Sequence, residues 1–300
     1  MSFAPIGLSV YSRLDHLKET VLALAENDLA EKSELYIFSD APREGDERKV
    51  TQVREYLRSI RGFRRVEIIE RKENSRIRNN RDGLAFLLDS FHKVIWLEED
   101  IVTAPGFLTF MNSALDYYSD SEEVISVSGY SPPIFIPEDY HRQFICSGRA
   151  NVWGVGFWKD KFDLIQMKYS QKDAEAMLNN KELFRKLKNC GEDLPAMARR
   201  EISGEIDALD IKLMTQQALN GWISITPVKS LVQNIGTDGS GVNCGVSDKF
   251  YIENLWNKKK DFCFSSDLSV DQKIAKSLYD FRKRSFKRKV KQALKTLRLN

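Results

Sequence analysis

Between residues 5 and 127, short apolar runs alternate with longer amphipathic stretches, and this alternation is the feature that most restricts what the chain can fold into. Strands are expected at 5–11, 34–39, 66–70, 93–97 and 124–127, with helices at 14–27, 47–60, 81–90 and 107–118. The first helix shows the reason: Leu14, Leu17, Val21, Leu22, Leu24 and Ala25 recur with the period of one helix face. Strands separated by helices of this length form βαβ units, so an α/β fold with a mostly parallel central sheet flanked by helices is expected. Past residue 130 the pattern loosens. Residues 131–140 read as a proline-rich loop, and 149–161 are dense in Trp, Phe and Gly. Helical stretches follow at 171–189 and 206–220, then a short strand at 222–226 and a glycine-rich loop at 234–245.

Three hundred residues, 42% of them hydrophobic, are enough for a real core. The net charge of +3 hides an asymmetry. Residues 273–300 hold eleven Lys and Arg against one acid, Asp280, so the rest of the chain is net acidic. Such a body is a poor partner for nucleic acid. In 272–300, Ile274, Leu278, Phe281, Val290, Leu294 and Leu297 fall at mostly helical spacing among the basic residues. That pattern is expected to form a basic amphipathic helix able to lie on an anionic membrane surface. Four scattered cysteines (Cys146, Cys190, Cys244 and Cys263) form no CxxC pair, which argues for free thiols in a reducing compartment. Three scattered histidines argue against a zinc site. Arg13 and Asp15 interrupt any signal-peptide core, and no apolar run is long enough to span a bilayer. The expected location is the cytoplasm, peripheral to its membrane.

The chemistry concentrates at Glu98-Glu99-Asp100, where an apolar run ends in three consecutive carboxylates. Adjacent acids repel one another, and a hard divalent cation turns that repulsion into binding: Mg²⁺ or Mn²⁺ takes one or two carboxylates plus substrate phosphate oxygens. In open α/β sheets, ligands sit outside the carboxyl ends of the strands, where these acids fall. Neither a Walker loop nor a GxGxxG fingerprint follows any expected strand, so phosphate must be held another way. Arg13 and Asp40 follow the first two strands, and Asn79-Asn80-Arg81-Asp82-Gly83 precedes a helix on the same rim.

Val10-Tyr11-Ser12-Arg13, Asn80-Arg81-Asp82-Gly83-Leu84, Leu97-Glu98-Glu99-Asp100-Ile101 and Pro105-Gly106-Phe107-Leu108 together resemble the nucleotide-sugar-binding half of GT-A glycosyltransferases. The likeness is to bacterial relatives of N-acetylglucosaminyltransferase I. It continues through Ser128-Gly129-Tyr130-Ser131-Pro132, Trp153-Gly154-Val155-Gly156-Phe157-Trp158, Ser230-Leu231-Val232-Gln233-Asn234-Ile235-Gly236 and Asp238-Gly239-Ser240-Gly241. The family's acid motif usually reads Glu-Asp-Asp, and this chain departs from it at Glu99.

The resemblance implies transfer of a sugar from a nucleoside diphosphate, in the first instance UDP, with inversion and with Mn²⁺ or Mg²⁺ as cofactor. It implies a nucleotide-sugar-binding half at 1–130, an acceptor-binding and catalytic half at 131–270 of the same domain, and the basic tail at 271–300. Asp100 matches the metal-binding acid. Tyr11, Arg13, Asp40, Arg78, Asn80, Gly83, Glu98 and Glu99 are the expected donor contacts. Inversion requires a carboxylate to take the acceptor proton. Asp207 is the first choice for it and Asp210 the alternative, both at the start of the 206–220 helix. Arg149, Trp153, Phe157 and Trp158 are expected to face the sugar and a glycan or lipid-linked glycan acceptor, and the loop 234–245 to act as a lid. Two other readings stand beside this one: a sugar nucleotidyltransferase and a non-catalytic carbohydrate- or membrane-surface-binding protein.

Overall fold

The computed structural model describes residues 3–241 and 246–283. In chain order the elements are β1 (Ile6–Val10), α1 (Leu14–Ala25), β2 (Glu34–Ser39), α2 (Glu47–Leu57), β3 (Arg65–Glu70), α3 (Arg76–Phe91), β4 (Lys93–Glu98), β5 (Ile101–Thr103), α4 (Phe107–Tyr117) and β6 (Val124–Ser128). They continue with β7 (Phe144–Ser147), β8 (Val155–Trp158), α5 (Lys159–Asp163), α6 (Gln171–Leu178), α7 (Lys181–Cys190), α8 (Leu194–Ile202), α9 (Leu209–Asn220), β9 (Ile223–Pro227), β10 (Val232–Asn234) and α10 (Gln272–Arg282).

Eight strands form one sheet in the order β3-β2-β1-β4-β8-β6-β9-β7. The first four are parallel, and β6 pairs in parallel with β9. Only β8 and β7 run against the rest. The expected α/β architecture is therefore present, with β8 wedged between two strands of the opposite sense. Strand alternation divides the core in two. Ile6, Leu8, Ile37, Ile95 and Leu97 face one layer with Leu17 of α1, Val53 of α2 and Phe110 of α4. Phe38, Val94, Trp96 and Phe157 face the other, with Leu87 of α3, Leu187 of α7, Ala198 of α8 and Leu213 of α9.

Two glycines let α3 lie close to the sheet. A Cβ on Gly7 of β1 would meet the Trp96 ring at 2.4 Å, and one on Gly83 of α3 would meet the same ring at 2.6 Å. Gly83 thus makes room for an indole, and its expected role as a donor contact gives way to a packing role.

Several expectations about local structure shift. Helix α3 begins at Arg76, capped by the Ser75 side chain, so Arg78 and Asn80 lie in its first turns and not in a preceding loop. The helical stretch 171–189 breaks into α6 and α7, because Asn180 caps a new helix through the Leu183 amide. The aromatic stretch contains strand β8, which buries Phe157 and Trp158 on opposite faces of the sheet. The Trp158 indole donates to Leu115 O at 2.9 Å. Neither ring is open to a sugar, so both are core residues and the expectation of acceptor contact is corrected for them.

The C-terminal expectation also changes. Helix α10 sits on the body, with Ile274 fully buried and Phe281 edge-on to Phe250 at 5.6 Å. The apolar face of 272–282 is therefore turned inward and not toward a membrane. Residues 284–300, which carry Val290, Leu294 and Leu297, lie outside the described residues, as does Cys244. Among the described residues no helix is long and apolar enough to cross a membrane.

Candidate active site

The acids lie where β1 and β4 end side by side, with Ser9 in register with Glu98. The chain turns sharply after β4, and Glu99 and Asp100 point back toward the start of α1. The Tyr11 backbone N–H donates to Glu99 Oε2, and Arg13 Nε donates to Glu99 Oε1 at 2.7 Å. Arg13 Nη2 reaches Asp100 Oδ2 at 2.8 Å, and the buried Thr20 hydroxyl donates to Glu99 O at 2.9 Å. One arginine thus bridges two carboxylates, leaving Glu99 as a clamp that orients Arg13.

Burial opposes the Arg13 charge, but Asp100 and Glu99 outweigh it and hold the guanidinium above its ordinary pKa. Burial pushes the Glu99 carboxyl up, against the Tyr11 amide and Arg13. Glu98 points elsewhere. Burial and then the Asp100 charge push it up to about 7, against Arg76, with Asp210 adding to the rise.

Two atoms in this cluster are buried without a hydrogen-bond partner, Asp100 Oδ1 and Arg13 Nη1. An orphaned buried carboxylate oxygen is costly unless something else meets it. The chain after β10 presses on the same spot. Ile235 N donates to Asp100 O at 2.9 Å, and a Cβ on Gly236 would lie 2.1 Å from Asp100 Oδ2 and 2.8 Å from Arg13 Nη1. Residues 234–236 are therefore fixed against the acids through the β5–β10 pairing, so the expected lid is anchored at its start. Gly236 belongs to the site, and its close approach to Asp100 follows only from that pairing.

Among the described residues no group of three or more His, Cys, Asp and Glu forms a metal cage. Asp100 Oδ1 nevertheless fits a divalent cation that takes one hard oxygen from the protein and the rest from a diphosphate and water.

The rest of the expected donor rim is more self-contained. Asp40 is buried, its Oδ1 accepting from the amides of Ala41 and Ser75 and its Oδ2 from Asn74 Nδ2 at 3.1 Å. The Tyr11 hydroxyl donates to Asp46 Oδ2 at 2.8 Å and accepts from Arg43 N at 3.0 Å. Both residues tie the loops that border the acid cluster to one another. Asn80 Oδ1 is buried without a partner. Arg78 is exposed beside Glu73 and is not drawn into the cluster.

At the start of α9 the two candidate bases separate. Asp207, just before α9, takes both oxygens to Arg81 Nη2 at 3.1 and 2.9 Å and accepts from the buried Lys212 at 2.9 Å. Burial pushes its carboxyl up, but Lys212 and Arg81 overcome that and leave it below its ordinary value. Asp210, one turn on, lines a cavity of about 130 Å³ with Arg149, Asn151, Trp153, Phe250 and Arg282. Burial pushes its carboxyl up, against backbone amides, Arg149 and Arg76. Asp207 is thus a bridge from α9 to α3, while Asp210 faces open space within electrostatic reach of Glu98. Of the two expected candidates, Asp207 is engaged in ion pairs and Asp210 is the one that lines a cavity.

Arg149 lines the cavity but is held by Asp193 in a fork of two 2.8 Å hydrogen bonds. Trp153 forms one wall, edge-on to Tyr130 at 4.6 Å and to Phe250 at 5.7 Å. Arg76, Asp193, Phe250 and Arg282 had no signal of their own in the sequence. Asp193 looks like an acid at the head of a helix, and Arg282 like one charge among the many of a basic tail.

No family model and no curated protein matches the chain. Solved structures do. The first 349 residues of TarS from S. aureus, in complex with UDP, share 10% identity at a TM-score of 0.41, over 76% of this chain and 59% of that one. A mannosyltransferase from Pyrobaculum calidifontis, in complex with GDP-Man and Mn²⁺, shares 13% identity at a TM-score of 0.37, over 73% and 75%. A cytidylyltransferase from Leptospira borgpetersenii shares 10% at 0.33, over 55% and 64%. The chain thus spans less than two thirds of the TarS fragment, and the case for its chemistry rests on its own residues.

Proposed function

We propose that this chain is a glycosyltransferase that moves a sugar from a nucleoside diphosphate donor, with UDP as the first candidate, to a hydroxyl of a glycan. The observation that carries this reading is the pairing of two unlike carboxylate sites at one end of the sheet. Asp100, bridged to Arg13 with one oxygen unpartnered, suits the diphosphate end of a donor. Asp210, in its own cavity across from Glu98, suits the acceptor end.

The reaction divides between them. The acceptor oxygen attacks the anomeric carbon, its proton passes to the Asp210 carboxylate, and the bond from that carbon to the diphosphate oxygen breaks. The nucleoside diphosphate leaves with the bonding pair. Burial suits Asp210 to hold that proton, and direct displacement with a single base inverts the anomeric centre. A divalent cation at Asp100 Oδ1 would neutralise the leaving diphosphate as a Lewis acid. Arg13 holds Asp100 in place. Trp153 and Phe250 offer flat apolar walls to a sugar ring.

The test is product identity. Incubation with UDP- and GDP-sugars and oligosaccharide acceptors is expected to release the nucleoside diphosphate, and Asp210→Asn to stop that release. Pyrophosphate release from a nucleoside triphosphate and a sugar phosphate would instead assign a nucleotidyltransferase.

A further inference from the structure

The cavity at Asp210 holds more positive charge than its own structure uses. Arg149 enters from the β7–β8 connection and Arg282 from the last turn of α10. Asp193 pairs with Arg149, one carboxylate oxygen on each Nη nitrogen. Arg282 has no such partner. Its Nη2 donates to the neutral Asn151 Oδ1 at 3.1 Å, and among the described residues no carboxylate comes within ion-pair distance. The guanidinium makes cation–π contacts instead, with its Cζ 5.3 Å from the Phe250 ring centre and 5.4 Å from the Phe281 ring centre.

Burial, and then the charge of Arg149, pull the Arg282 guanidinium down to about 10, as expected for a cation set beside a second cation without a carboxylate of its own. A planar guanidinium held by aromatic rings, with donors facing a cavity, is arranged for two-point recognition of a carboxylate or phosphate.

We propose that this cavity is an anion subsite for the acceptor: Arg282, aligned by Asn151 and backed by the Arg149–Asp193 pair, takes a carboxylate or phosphate group carried by an acidic glycan. The acceptor's sugar ring then lies against Trp153 and Phe250, which presents a hydroxyl to Asp210. This assignment rests on the glycosyltransferase reading for the identity of the bound molecule as acceptor. Arg282 accordingly gives the C-terminal helix a role in choosing the substrate. The alternative destination for an anion here, the donor diphosphate, is separated by the experiment.

The experiment is calorimetric titration of the full chain with UDP and Mg²⁺ at saturation, so that the donor site is filled. The probes are glucuronate, inorganic phosphate and, as the uncharged control, glucose. Wild-type protein is expected to bind glucuronate and phosphate at least about ten-fold more tightly than glucose, and Arg282→Gln to lose about ten-fold in affinity for both anions. The affinity of Arg282→Gln for UDP with Mg²⁺ is expected to stay within about two-fold of wild type. Equal binding of glucuronate and glucose by the wild type overturns the proposal, and this arm needs no variant to fold. Unchanged anion affinity in Arg282→Gln also overturns it, as does a parallel loss of UDP affinity, which would assign the arginine to the donor. Failure of the wild type to bind any nucleoside diphosphate would sink the donor reading instead, and the comparison of glucuronate with glucose would still report on the subsite.

Discussion

Asp207 and Asp210 are three residues apart, and the structure sets them in opposite surroundings. Arg81 and Lys212 hold the Asp207 carboxyl below its ordinary value, whereas half-buried Asp210 lines a cavity with its carboxyl pushed up. Asp210→Asn is therefore expected to lower kcat by about 10² to 10⁴ while leaving UDP affinity unchanged. Asp207→Asn breaks a partly exposed bridge and is expected to cost about 1 kcal/mol or less in a denaturation experiment. Gly236 is a second residue with a sharp expectation. The alanine methyl would meet Asp100 Oδ2 at 2.1 Å, so Gly236→Ala should displace the acid and weaken donor binding measured by calorimetry. Lys161 tests burial away from the site: its ammonium donates to Tyr118 O at 2.7 Å, and burial pushes its pKa down to about 8. The folded state then binds fewer protons than the unfolded chain between about pH 8 and the ordinary lysine value near 10.5. The melting temperature of wild type relative to Lys161→Met should accordingly rise across that window and stay flat below it.

At the scale of elements, the βαβ half was legible because its strands and helices are long, regular and separated by turn residues. Strands β1 to β4 and helices α1, α2 and α4 fall close to the expected ranges. What was not legible depends on partners distant in sequence. Strand β8 is four residues long and looked like an aromatic surface patch until β4 and β6 closed over it on either side. Gly83 looked like a ligand contact because nothing local shows that Trp96 fills the space where its side chain would be. Gly83→Ala is therefore expected to cost about 1–3 kcal/mol of stability from overpacking, with donor affinity preserved in the folded fraction. Helix α10 gave a clear amphipathic signal, but periodicity does not say what covers the apolar face. The cover is the body of the protein, so Ile274→Ala should destabilise the fold by about 2–5 kcal/mol in a chemical melt.

For the molecule as a whole, the sheet places the strand-end acids and the cavity on neighbouring parts of one rim, with charges from each acting on the other through Glu98 and Asp210. The acid triplet was readable as a strand end, and β4 does end at Glu98. Its internal division of labour was not readable, because it depends on Arg13 folding back from the start of α1 and on β10 delivering Gly236. Glu99 orients Arg13, Glu98 lies within electrostatic reach of Asp210, and Asp100 keeps one oxygen without a partner. The proposed role of this oxygen, anchoring a metal–diphosphate pair, is checked by titrating UDP into wild-type and Asp100→Ala protein, each with Mn²⁺ and with EDTA. Mn²⁺ is expected to tighten UDP binding by at least about ten-fold in the wild type and not at all in Asp100→Ala. Equal UDP affinity in all four titrations would contradict it.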